Sequence, residues 1–142
     1  DIKKIIENKK AIHDSRGAAF FNENYQSMTS NGNNETFSHI HPIVRMNPDS
    51  KKKILYINWT YTRKIIGMDK DESDKVLNIL FKHQERLDLT CRFKWTPNTI
   101  AIWDNRSLLH YAIADYFPKR GLGHRRVMDR IAVRGEVPLT AL

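Results

Sequence analysis

The sequence predicts a mainly β fold with packed helices. Short runs alternate apolar and polar residues with period two at Thr99–Trp103, Ser107–Ala112 and Arg126–Val133. A hairpin pattern, Ile43–Met46 and Ile54–Asn58, flanks the turn-forming Asn47–Lys53. One longer run, Asp69–Leu87, repeats its apolar residues at helical spacing. The 142 residues suffice for one domain with a real core, and no repeat or composition shift divides them.

In chain order, Ile2, Ile5, Ile6 and Ala11–Ile12 predict a short amphipathic helix. His13 and Asp14 are adjacent, so on a strand they point to opposite faces and read as structural. Asn22–Ser38, rich in Asn, Ser, Thr and Gly, reads as a loop. His39 and His41 share a face if the chain is extended there, which makes a strand entry before Pro42. Thr60–Ile66 is a further strand ended by Gly67. In the helix, Asp71, Glu72 and Asp74 lie near the positive N-terminus, and Val76, Leu77, Leu80 and Phe81 form the buried stripe. Cys91–Trp95 reads as a strand with Cys91 as a small buried hydrophobe.

The net charge is +8, with Lys51–Lys53 as its densest run, read as a solvated hairpin tip. The charges are scattered, and no nucleic-acid motif or aromatic–basic stacking surface is legible, so nucleic acid is not an expected partner. No apolar run approaches a membrane span, and the charged start, Asp1–Lys10, is no signal peptide. A lone cysteine excludes an internal disulfide and fits a reducing, cytoplasmic setting. A homo-oligomer is left open.

The chemistry concentrates in Asn98–Arg134. On a strand, Leu108, His110 and Ala112 share one face. Arg126, Met128 and Arg130 share a face of the next strand, which sets the two arginines about 13 Å apart at roughly 3.3 Å per residue. Arginine's planar fork matches a carboxylate or sulfonate in bidentate fashion. Two such arginines and a histidine are compatible with an anion site beside a metal. A single histidine on a strand is equally compatible with an ordinary structural role.

The run Trp103–Tyr116, WDNRSLLHYAIADY, resembles the C-terminal signature of the taurine dioxygenase family, the Fe(II)- and 2-oxoglutarate-dependent oxygenases. His41–Arg45, Leu55–Asn58, Trp95–Trp103 and Arg126–Arg130, ending near Gly135–Pro138, also resemble the family, so the likeness covers most of Ile40–Pro138. The resemblance implies a double-stranded β-helix, or jelly roll, and an incomplete one. It implies that His110 is the distal iron ligand, that Arg126 binds 2-oxoglutarate, and that Arg130 holds the anionic head of a substrate such as taurine. It also implies that Tyr61 borders the substrate pocket and Trp103 supports the site wall. The implied partners are a small anionic substrate, 2-oxoglutarate and oxygen.

Two departures stand against a complete site. The family's H-x-D, which supplies the other two iron ligands, does not occur in these residues. The spacing from His110 to Arg126 is a few residues longer than the family's, with the extra length in Lys119–His124, so Arg120 and Arg125 are alternative cosubstrate residues. The chain does not begin with Met, and the expectation is a C-terminal part of such an enzyme. The alternative is a catalytically incomplete or non-enzymatic remnant of the fold.

Overall fold

The computed structural model describes residues 1–15, 37–113 and 127–137. The expected loop, apart from its last two residues, the Gly-rich connection and Arg126 lie outside them. The described elements are α1 (Ile2–Ile6), β1 (Lys10–Asp14), β2 (Ser38–Pro42), β3 (Val44–Met46), β4 (Lys53–Leu55), β5 (Thr62–Ile65), α2 (Lys70–Gln84) and a single 3-10 turn, Leu87–Leu89.

The first helix is shorter than the apolar spacing predicts. Asp1 caps it by accepting the Lys3 N–H at 3.1 Å, and it ends at Ile6. Ala11 and Ile12 belong to β1, the middle strand of the antiparallel sheet β2-β1-β5. Two strand partners outcompete one more helical turn, because a short isolated helix is marginal in water. Ala11 faces His41 on one side and Ile65 on the other, and is fully buried.

A register shift between Ile12 and His13 sets Thr62 opposite His13. The extra residue, Arg63, turns its Nε toward Asp14 at 3.2 Å. Asp14 is 3% exposed, so this pair answers a buried charge. β3 and β4 form the expected hairpin, with Arg45 opposite Ile54. Its turn is held by the Asn47 side chain, whose Oδ1 accepts the Asp49 and Ser50 N–H groups, both at 2.9 Å. Lys51 takes the left-handed conformation there, and Gly67 does so after β5, where a Cβ would be strained.

α2 forms where its periodicity places it. Asp69 caps it by accepting the Glu72 N–H at 2.8 Å. Val76, Leu77 and Leu80 are buried and Phe81 half-buried, against a core of Ile6, Ala11, Ile43, Ile57, Ile65 and Met68. Ser73 is fully buried, and its hydroxyl accepts the Ile65 N–H at 2.8 Å, which ties helix to sheet.

Beyond α2 the expectation fails. Cys91–Trp95, Thr99–Trp103, Ser107–Ala112 and the described residues of Arg126–Val133 are not strands. Cys91 is exposed, not buried. Ile102, Ile131 and Val133 are at least 93% exposed. Alternation tells a strand which face to bury, but a strand also needs a neighbour for its backbone, and among the described residues none is paired with these segments. No helix among the described residues is long and apolar enough to cross a membrane.

Candidate functional site

The turn Asp104–Ser107 positions His110. The Ser107 and Leu108 N–H groups donate to the Asp104 carbonyl, both at 3.0 Å. Asn47, buried in the hairpin turn, donates its Nδ2 to Asp104 Oδ2 at 3.2 Å and to Ser107 Oγ at 2.8 Å. Arg106 Nε pairs with Asp104 at 2.9 Å, and its Nη atoms pair with Asp49 and Glu136. Arg106, through its guanidinium first and then its backbone N–H, holds the Asp104 carboxyl down to about 2. Its acidic partners, Asp104 first, raise Arg106 in turn. The motif's Asp and Arg thus clamp the turn to the hairpin and to Glu136. Sequence reasoning read Asp104–Arg106 and Asn47–Lys53 as two separate turns, as Asn and Asp suggest, but did not foresee that they bond to one another.

His110 is exposed, and its ring lies 5.1 Å from that of Trp103. Trp103 is half-buried and donates its Nε1 to Asn105 Oδ1 at 2.8 Å. Tyr61 sits in the β4–β5 connection, half-buried, with its carbonyl accepting the Asp14 N–H at 2.9 Å. Arg130 is exposed. Arg126 lies outside the described residues. The structure thus brings Trp103 to His110. An open depression of about 300 Å³ between β5 and α2, lined by Thr62, Arg63, Asp74, Leu77, Asn78 and Phe81, contains none of them.

The iron that the resemblance implies requires a set of three protein donors. No group of three His, Cys, Asp or Glu side chains among the described residues can hold a metal ion. The chain does contain one H-x-E, His83–Gln84–Glu85, which the sequence reading passed over. It falls at the C-terminal end of α2, where residues two apart point about 200° from one another around the helix, so it does not chelate. His110 alone does not make an iron site, because a facial triad needs three protein donors.

A second cluster carries the strongest perturbations. His39 and His41 share a face of β2, as expected, with ring centroids 6.1 Å apart. His13 lies 5.2 Å from His41 and stacks on Tyr56 at 5.9 Å. The Arg45 guanidinium carbon sits 4.9 Å from the centre of the same Tyr56 ring. Burial, then His41 and Arg63, push His13 down to about 4. Burial, then His39 and Arg45, lower His41. Sequence reasoning missed this cluster because its members come from three separate strands and one strand end.

The taurine catabolism dioxygenase TauD, TfdA family matches residues 1–131. An alpha-ketoglutarate-dependent sulfonate dioxygenase of Saccharomyces cerevisiae is 37% identical over 81% of this chain and 27% of its own. An alpha-ketoglutarate-dependent dioxygenase of Penicillium expansum is 34% identical over 99% of this chain and 38% of its own. The chain therefore spans between a quarter and two fifths of the length of these relatives. The solved structure of AAD-2 in complex with Mn(II) and N-oxalylglycine overlays with a TM-score of 0.50 at 24% identity, covering 66% of this chain and 36% of that one, which relates the folds. By the extent of that match, this chain belongs to the TauD, TfdA family of taurine catabolism dioxygenases.

Proposed function

We propose that this chain is the C-terminal portion of a cytoplasmic Fe(II)- and 2-oxoglutarate-dependent dioxygenase with a double-stranded β-helix core, acting on a small organic anion such as taurine or another sulfonate. The observation that carries the reading is the family match over residues 1–131. The yeast relative's name supports the substrate class. In this reading His110 is one of three metal donors, Arg126 pairs with the far carboxylate of 2-oxoglutarate, and Arg130 pairs with the substrate's anionic head. Tyr61 and Trp103 wall the pocket. Arginine suits both anion roles because its fork matches an oxyanion in two places, which a lysine cannot do.

No step of oxygen chemistry is assigned to these residues, because the described ones do not hold the metal. That observation favours a second reading, a catalytically incomplete fragment or non-enzymatic remnant. The two separate by experiment. A tight one-to-one Fe(II) site in this chain that requires His110 rejects the fragment reading. In a polypeptide that joins this chain to an H-x-D pair, Fe(II), oxygen and a sulfonate should support succinate formation, and His110→Ala should abolish it. Arg126→Ala should raise the KM for 2-oxoglutarate about thirty- to several-thousand-fold, since removing one partner of a buried charged pair costs roughly 2–5 kcal/mol. Arg130→Ala should chiefly weaken the sulfonate. Unchanged succinate formation in His110→Ala rejects the ligand role. Loss of 2-oxoglutarate affinity in Arg120→Ala or Arg125→Ala, but not in Arg126→Ala, shifts the cosubstrate role to one of those residues.

A further inference from the structure

Among the described residues, two buried side-chain atoms have no hydrogen-bond partner, His13 Nε2 and Arg45 Nε. Both belong to the cluster around Tyr56. Arg45 Nε–H is a donor in every state of the side chain. Thr62 Oγ1 accepts the Asn58 N–H at 2.8 Å and lies 3.4 Å from His13 Nδ1. With the Thr62 hydroxyl donating to Nδ1, the ring's proton lies on Nε2, which is then a donor like Arg45 Nε. Two buried polar atoms thus lack a partner, which is costly.

Charge points the same way. Arg45 is 3% exposed, and no carboxylate among the described residues pairs with it. A buried arginine without a counter-charge is rare, because the desolvation cost is large. The ladder explains how it is held. Arg45 opposes Ile54, and Tyr56, two residues on, shares that face, so the ring supports the guanidinium by cation–π contact. His13 opposes His39 across β1 and β2, so the histidines reach the same ring from the three-stranded sheet. His39 is exposed and His41 half-buried, which gives the cluster an open edge.

We propose that His13 and Arg45, grouped around Tyr56 with His41 beside them, bind a small oxyanion that accepts from His13 Nε2 and Arg45 Nε. The class is a carboxylate, sulfate or sulfonate of few atoms. The site uses none of His110, Arg126 and Arg130, so it stands or falls apart from the dioxygenase reading. Its electrostatic surroundings are the cations Arg45 and Arg63, the titratable rings of His13, His39, His41 and Tyr56, and one carboxylate, Asp14, which is engaged with Arg63. An anion there favours protonation of His13 and His41, so binding tightens as pH falls below the ordinary histidine range toward about 4, where His13 takes its proton without the anion.

The test is a titration of this chain with sodium sulfate and, separately, sodium acetate at constant ionic strength, read by NMR on the Arg45 Nε–H and the His13 ring nitrogens. The expected result is saturable movement of both signals, tighter at the lower pH, with His13 in the Nε2–H form. Sulfate binding tighter than acetate assigns a tetrahedral ligand, and the reverse assigns a carboxylate. Arg45→Gln should weaken binding about thirtyfold or more, and Arg106→Gln should leave it unchanged. The proposal is overturned by linear, unsaturated shifts, by a His13 Nδ1–H tautomer, or by an Arg45 signal that ignores both anions and responds instead to Glu23→Gln, Glu35→Gln or Asp115→Asn. The wild-type titration decides even if Arg45→Gln does not fold.

Discussion

His13 carries a pH dependence that its place in the sequence conceals. Its folded value is about 4, against an ordinary 6.5. Above the ordinary value neither state binds the proton, and the full stability is present. As pH falls through that value the unfolded chain takes up a proton that the folded chain refuses, so stability drops until about pH 4 and then levels. The full shift corresponds to about 3 kcal/mol. Because the ring is only partly buried, solvent screening reduces this to about 1–2 kcal/mol. Urea melts at pH 7.5, 6 and 5, at constant salt, should show the decline, and His13→Phe should flatten it. A melt midpoint that is constant across that range contradicts the account. The sequence allowed the inference that His13 and Asp14 face opposite ways. It could not reveal the depression of His13, because that depends on His41 and Arg63, distant in sequence and brought near by the sheet.

At the scale of elements, α2 and the β3–β4 hairpin were legible because their signals are local. A cap at Asp69, an apolar stripe and a turn of Asn, Pro, Asp and Ser all lie within a few residues of what they determine. The division between α1 and β1 was not local: Ala11 and Ile12 fit a helix, and only β2 and β5 on either side make them a strand. Ser73 shows how one polar residue on the buried stripe can join two elements. Ser73→Ala leaves the Ile65 N–H without an acceptor in the core and should destabilise the protein by about 1–3 kcal/mol. Ser73→Thr keeps the hydroxyl and should rescue part of that if the extra methyl fits. Chemical denaturation of the three proteins checks it, and an unaltered midpoint in Ser73→Ala means that the hydroxyl is not what joins helix to sheet.

At the scale of the whole molecule, the buried apolar core of the described residues ends with α2. From Leu87 onward the described large apolar residues other than Trp103 are exposed, Leu87 itself at 89%. Their alternation predicted strands that the described residues do not form, because strand formation is a property of pairs of segments, and a single sequence does not say whether the second member is present. Trypsin should therefore cut first at Arg92 and Lys94, leaving a core that retains α2, since proteolysis follows local opening. Equal protection of Lys94 and Lys75 would show that the segment is packed more closely than its exposure indicates. Of the expected site, Trp103 and His110 do come together, but the strand expected to carry His110 does not form. Of the cluster around Tyr56, only the shared face of His39 and His41 was legible.

The clamp between the Asn47 turn and the Asp104–Ser107 turn joins residues 57 apart in sequence. Closing a loop of that length costs about 2 kcal/mol more than closing the hairpin's own short turn. Time therefore enters the architecture. The hairpin forms first, because its contacts are local, and the turn bearing Arg106 attaches afterwards to a surface that already exists. Arg106→Ala should then leave the rate of folding, followed by α2 helicity, as it was, while amide exchange quickens at Ser107 and Leu108, whose N–H groups bond to Asp104. A slower folding rate in that variant would place the clamp in the nucleus. If attachment comes last, then His110 reaches its position only after the rest of the described structure is in place, and whatever it binds meets a nearly finished protein.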